Sequence, residues 1–322
     1  MKKKFWVIGG GIVAFTITSC IVPTILSYHN LDNISFVAHR GLSSKYMQNT
    51  TKSFRGAADN KDIYGIETDI WKSTTPYVAG EDETGHFFCS HDPNPFWTDV
   101  KTNGGSTEYL NKQFYEFANK LIPQSHSYYT VSEDDAYVPT FHEYLQIIRN
   151  NNKHAFIEIK EPSHALQTSD YFYNPEGSDF YFRENDIHNL IDVTRNNLNS
   201  LNNVTFITFD TQELDWAKSY VQSEYPNDTC HFQQLIETES ALKTINKNTE
   251  WQDWGIRDYI NNDFDISLSI KAVNRNIVDY THKHNKQIGL WSNSSYDSPS
   301  IWAPYIRMGV DFITSDWTPE YK

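Results

Sequence analysis

Residues 139–160 read PTFHEYLQIIRNNNKHAFIEIK. The first part carries Phe141, Tyr144, Leu145 and Ile148 on one helical face, which predicts an amphipathic helix over Pro139–Asn151. It leads into His154–Lys160, a strand whose apolar run is broken by Glu158 and Lys160, one residue apart. A helix feeding directly into a strand is half of a strand–helix repeat, and the repeat continues in both directions. Strands are predicted at Ile34–His39, Tyr64–Ile70, Phe87–His91, Val204–Phe209, Thr229–Leu235, Gln287–Ser292 and Val310–Thr314, with a weaker candidate at Phe264–Leu268. Helical segments are predicted at Thr50–Asn60, Glu184–Ser200, Thr211–Val221, Ile270–Asn285 and Ser298–Met308. Such alternation argues for an α/β fold with a parallel sheet. Eight good strands in this length of chain suit a (β/α)8 TIM-type barrel.

The composition agrees with one large domain. The chain has 322 residues, of which 15 % are aromatic, too many for a disordered polymer. Its formal charge of -14 makes nucleic acid a poor partner, because phosphate backbones require Lys and Arg. Three cysteines (Cys20, Cys89 and Cys230), none in a CxxC spacing, exclude a disulfide scaffold and a structural zinc ribbon. Met1-Lys2-Lys3-Lys4 precedes an uncharged run from Phe5 to Tyr28, long enough to cross a bilayer as a helix. The lysines before it orient the folded part to the extracytoplasmic side. Ile17-Thr18-Ser19-Cys20 also resembles a lipobox, so an uncleaved anchor and a lipoprotein signal both stand. The expected organisation is a membrane segment over 1–28 and a barrel over 29–322. Residues 92–138 are too long and polar for a simple connection, and are read as a small insertion after the third strand.

Polar residues gather at predicted strand ends. His39 and Arg40 close the first strand and His91 the third, while Glu67 and Asp69 sit in the second and Glu158 and Lys160 in the fourth. Residues i and i+2 of a strand face the same side, so each of the last two pairs converges. In a parallel barrel all of these groups meet at the C-terminal mouth. Buried charges cost several kcal/mol unless paired or metal-bound, and three carboxylates in one pocket call for a cation. Oxygen ligands of this type suit a hard divalent ion, Mg2+ or Ca2+. Arg40 and Lys160 supply positive charge for an anionic oxygen. Two histidines complete an acid/base set, with the spacing leaving open which is acid and which is base.

Read together, Val37-Ala38-His39-Arg40-Gly41, Asn49-Thr50, Glu67-Thr68-Asp69 and Ser90-His91-Asp92 resemble the signature of glycerophosphodiester phosphodiesterases. Val138–Glu143 with Ile157–Lys160, Phe206–Asp210, Leu290-Trp291-Ser292-Asn293 and Gly309–Asp316 follow in the order of that family. The resemblance implies a barrel that hydrolyses glycerophosphodiesters such as glycerophosphocholine or glycerophosphoethanolamine to glycerol 3-phosphate and an alcohol. It implies His39 and His91 as the acid/base pair, Glu67, Asp69 and Glu158 as ligands to Ca2+ or Mg2+, Arg40 and Lys160 as phosphate contacts, and Trp291 as a wall of the substrate pocket. In such enzymes the attacking group is water, or the glycerol hydroxyl with a cyclic phosphate as intermediate. One departure stands near the site: the family's Pro-Glu-Asn-Thr is Met47-Gln48-Asn49-Thr50 here, which removes a charge. Two other functions remain open from sequence: lysophospholipase D or sphingomyelinase D-like action on acylated lipids, and an inactive barrel that only binds.

Overall fold

The computed structural model of the chain describes residues 34–72, 87–91, 139–160, 182–236, 255–291 and 299–316. The expected membrane segment at 1–28 and the insertion at 92–138 lie outside the described residues. Among the described residues no helix is long and apolar enough to cross a membrane.

Strands β1 (Ser35–Ala38), β2 (Gly65–Lys72), β4 (His154–Ile159), β5 (Val204–Thr208), β6 (His231–Ile236), β7 (Asp265–Ser269), β8 (Ile288–Trp291) and β9 (Phe312–Ser315) form one parallel sheet. The sheet closes because β1 pairs with both β2 and β9, through Val37↔Gly65 and Val37↔Thr314. It is the expected eight-stranded barrel of TIM type, with helices α1 (Thr51–Ala58), α2 (Phe141–Asn151), α3 (Glu184–Leu198), α4 (Thr211–Glu224), α5 (Ile256–Asn261), α6 (Arg275–Lys283) and α7 (Pro299–Met308) in the connections.

Two strands differ from expectation. The third, β3 (Phe87–Cys89), is no barrel member: it pairs antiparallel with the upper end of β2, Ile70↔Cys89 to Lys72↔Phe87. An antiparallel return needs only a turn, whereas a parallel neighbour needs a crossover, usually a helix. The weak candidate at Phe264–Leu268 takes the vacated place as β7. Its polar start had obscured it. Asp265 accepts a hydrogen bond from the Gln287 backbone N–H at 2.8 Å and pairs with His231 Nδ1 at 3.1 Å, so the carboxylate is consumed at the strand entrance.

The predicted face of α2 is buried, as Phe141, Tyr144, Leu145 and Ile148 all pack inward. Each such side chain contributes about 2 kcal/mol of apolar burial. The helix starts with a capping box between Thr140 and Glu143 and stops at Asn152, whose φ of +50° is left-handed. Tyr144 reaches across to donate its hydroxyl to the Ile66 carbonyl at 2.7 Å, fixing α2 against the strand that carries Glu67 and Asp69. Inside the barrel, Val37, Phe156, Ile207, Leu235 and Phe312 form an apolar plug, with Phe209 and Trp291 packed against it. Below the plug, Tyr64 stacks on His154, which also hydrogen-bonds Thr205 Oγ1 at 2.8 Å. The open end is therefore the C-terminal one, where the strand-end polar residues stand.

Candidate active site

Parallel pairing of β2 and β4 puts Asp69 opposite Glu158, with Glu67 two residues earlier on the same face. One oxygen from each of Glu67, Asp69 and Glu158 lies within 4.8 Å of the others, and all three residues are buried. Glu67 Oε1 and Asp69 Oδ1 have no hydrogen-bond partner. Buried oxygens are normally satisfied, so two carboxylate oxygens without a hydrogen bond, one of them with only the Lys160 ammonium 3.4 Å away, facing a third carboxylate fit a hard, oxygen-ligated cation. Burial and the Asp69 charge push the Glu67 carboxyl up to about 8, the strain that a cation there would relieve. Burial alone would raise Asp69 as well, but Arg40 and Lys160 more than reverse this and hold it well below the usual carboxylate range.

The turn after β1 wraps around this triad. Arg40 adopts a left-handed φ of +55°, followed by Gly41 at +78°. A Cβ on Gly41 would sit 2.5 Å from Ser53 Oγ, so glycine is needed for both space and conformation. The turn aims the Arg40 backbone N–H at Glu67 Oε2, 2.7 Å away, and sets its Nε 3.0 Å from Asp69 Oδ2. Arg40 Nη1 donates to Gln48 Oε1 at 2.8 Å. Gln48 thus holds the guanidinium, and position 48 stands outside the carboxylate triad. Lys160 donates to Glu158 Oε1 at 2.7 Å and lies 3.4 Å from Asp69 Oδ1.

His39 ends β1, with Nε2 4.0 Å from Glu67 Oε2 and Nδ1 2.6 Å from Asp316 Oδ1. Burial and the Arg40 charge work against its protonation, but Asp316 and Glu67 win and raise its pKa. Asp316, which also accepts from Ser43 Oγ at 3.1 Å, is lowered to about 2 by His39 despite its burial. His91 reaches the site by the β3 arm rather than by a barrel strand. The Ser90 backbone N–H donates to the Asp69 carbonyl at 3.1 Å, and the His91 carbonyl accepts from Trp71 Nε1 at 3.2 Å. A cavity of about 220 Å³ brings together His39, Arg40, Glu67, His91, Glu158, Lys160 and Trp291. Asp69, the eighth residue singled out in the sequence, stands behind them in the triad.

Sequence reasoning passed over two partners. Asn49, in a left-handed conformation with φ +53°, donates Nδ2 to Asp69 Oδ2 at 2.7 Å, while its carbonyl oxygen takes the Thr68 hydroxyl at 3.0 Å. Asp316 is the other. Both lie inside quoted motifs, and the available signal was a short polar side chain at a turn or strand end beside a residue already assigned. Cys89 is buried and its thiol is pushed far up by burial, so it is inert as a nucleophile.

A closed parallel barrel with carboxylates, two histidines and two cations at its C-terminal mouth defines a hydrolase-type site for an anionic substrate. Residues 39–318 match the model of the glycerophosphoryl diester phosphodiesterase family, and the chain belongs to that family of phosphoric diester hydrolases. No curated protein matches the chain. Among solved structures, a phosphodiesterase of Oleispira antarctica in complex with the product sn-glycerol-3-phosphate is 15 % identical, with 90 % of this chain and 95 % of that one covered at a TM-score of 0.59. A glycerophosphodiester phosphodiesterase from Agrobacterium tumefaciens is 16 % identical, with coverages of 88 % and 96 % and a TM-score of 0.56. One from Parabacteroides distasonis is 18 % identical, with coverages of 88 % and 93 % and a TM-score of 0.54. At these identities the likeness is one of fold.

Proposed function

We propose that the chain hydrolyses small glycerophosphodiesters, such as glycerophosphocholine or glycerophosphoethanolamine, to sn-glycerol 3-phosphate and an alcohol. The observation that carries this reading is the orphaned Glu67 Oε1, buried with Asp69 and Glu158 in one carboxylate cluster with His39 in reach. Glu67, Asp69 and Glu158 would hold a divalent ion, Ca2+ or Mg2+. Once bound, such an ion polarises a phosphoryl oxygen and balances developing negative charge.

The remaining work falls to this chain's own side chains. Arg40 and Lys160 bind and orient the phosphodiester through charge-assisted hydrogen bonds. The Asp316 carboxylate accepts the proton side of His39 Nδ1, which leaves Nε2 with the lone pair in the neutral ring. His39 is therefore the base, taking a proton at Nε2 from the attacking oxygen, and Asp316 positions it. His91 is the acid, giving a proton to the leaving alcohol. Trp291 and Phe209, edge to face at 6.2 Å, wall the pocket on the opposite side. Residues 5–28 are the tether that holds this barrel on the outer face of a membrane; sequence supports this reading, and loss of membrane pelleting on removing 1–28 tests it.

Assaying sn-glycerol 3-phosphate release from a panel of glycerophosphodiesters tests the substrate assignment. Release from the choline and ethanolamine esters, with none from acyl-bearing lysophospholipids, is the expected result. Cleavage confined to the acylated lipids would overturn it.

A further inference from the structure

Glu67 and Asp69 share one face of β2, and the next residue on that face is Trp71. It is only 1 % exposed. A buried indole needs a partner for its N–H, and here Nε1 donates to the His91 carbonyl at 3.2 Å. A phenylalanine would fill apolar space without that donor, so the indole supplies a directed bond as well as bulk. The bond matters because of what it holds. His91 stands just past β3, an arm of three residues that pairs with β2 through Ile70↔Cys89 to Lys72↔Phe87. So short a pairing fixes its own end poorly. The main chain is tied on both sides of His91 instead. Before it, the Ser90 backbone N–H donates to the Asp69 carbonyl at 3.1 Å; after it, the Trp71 indole donates to the His91 carbonyl. Both ties run to β2, so the strand that supplies two of the three clustered carboxylates also sets where His91 stands beside them.

We infer that Trp71 is a positioning residue for the acid step: its indole N–H fixes the backbone of His91, and with it the line from the imidazole to the leaving alcohol. The inference rests on the hydrolase reading above, in which His91 is the acid. It adds a residue that belongs neither to the cavity lining nor to the carboxylate cluster. Proton transfer is steep in distance and angle, so a small displacement of His91 slows it before binding weakens. An alkoxide such as that of choline must be protonated as it leaves. A p-nitrophenolate leaves without a proton. Trp71 therefore matters for esters of the first kind and not for those of the second.

The test measures turnover by the full chain in Ca2+ of two substrates, glycerophosphocholine and the p-nitrophenyl ester of glycerol 3-phosphate. Trp71→Phe is expected to lower kcat on glycerophosphocholine by about tenfold, the worth of one good hydrogen bond, with KM within about twofold. The same variant leaves kcat on the p-nitrophenyl ester within about twofold of the unaltered chain. Trp71→His recovers most of the loss, because its Nε2 takes the ring position of the indole nitrogen. In a His91→Ala background, Trp71→Phe has no further effect on either ester. Trp71→benzothienylalanine, which exchanges only the N–H for sulfur, gives the same comparison of esters if Trp71→Phe does not fold. Equal losses on both esters, no loss on glycerophosphocholine, or a loss that persists without the His91 imidazole would overturn the inference and leave Trp71 as packing. Any of those results, with both esters turned over by the unaltered chain, leaves the hydrolase reading intact, whereas turnover of neither ester would remove both.

Discussion

Three of the candidate site's side chains are held by a neighbour outside the set. Asn49 grips Asp69, Gln48 grips Arg40 and Asp316 grips His39, all by hydrogen bonds of 2.6–2.8 Å. Such partners matter because a ring or carboxylate rotated away from its productive angle reacts slowly even when present. Asp316→Asn keeps the size and can still bond Nδ1, but removes the charge that fixes the tautomer. We expect kcat to fall by about 100-fold with KM little changed, and the nitrogen NMR signature of His39 to shift toward the other tautomer. An unchanged kcat would show that Asp316 only braces the barrel seam. Position 48 makes a second case. The resemblance places a carboxylate at this position and this chain lacks that charge; Gln48 instead engages Arg40, and the triad is composed without it. Gln48→Ala is therefore expected to raise KM through a loosened Arg40, by roughly 10-fold, with the Ca2+ dissociation constant from calorimetry within about twofold of the original.

At the scale of elements, what sequence could read was local and what it missed was pairing. Periodicity located α2 and its buried face because a 3.6-residue repeat is visible within one segment. The partner of a strand is not visible in that way. β3 has the residues of a barrel strand, and only its return onto β2 reveals an arm that delivers His91. β7 was weak in sequence because Asp265 stands where an apolar residue is expected, and its role depends on His231 and Gln287, far away in the chain. Helix α5 was not foreseen; its six residues are too few to show a period. The eight candidate residues that the cavity and the triad bring together each lie at a strand end or within a motif; Asp316 shares that signal, but only the closure of β9 onto β1 makes it a partner of His39. The capping box of α2 gives a prediction here. Thr140→Ala leaves the Glu143 backbone N–H without its 3.1 Å partner and should cost about 1 kcal/mol in denaturant unfolding. No loss of stability would mean that tertiary packing alone sets the helix start.

Over the whole molecule, the barrel separates a reactive top from a sealed bottom. The apolar plug lies between them, and His154 sits beneath it, bonded to the Tyr64 hydroxyl at 3.0 Å and to Thr205. Burial, reinforced by the nearby His231, lowers the His154 pKa to about 3. The sign follows directly. Above about pH 6.5 the ring is neutral both folded and unfolded; as pH falls, the unfolded chain takes up a proton that the folded barrel refuses. Stability therefore declines by about 1.4 kcal/mol per pH unit until the folded ring itself titrates near its lowered pKa. Comparing urea unfolding at pH 7 and pH 5, His154→Gln should flatten the decline by roughly 2 kcal/mol, and an unaltered slope would remove His154 from the acid response.

The top of the barrel carries the central claim, that Glu67, Asp69 and Glu158 act as one metal-holding unit for phosphodiester hydrolysis. The most direct measurement is the rate of sn-glycerol 3-phosphate release from glycerophosphocholine with added Ca2+ or Mg2+ and with a chelator, for the unaltered chain and for Glu67→Gln. The account predicts release that needs the metal and falls by about 100-fold to 1000-fold in the variant. Release that persists in the chelator, or that Glu67→Gln leaves intact, would contradict it.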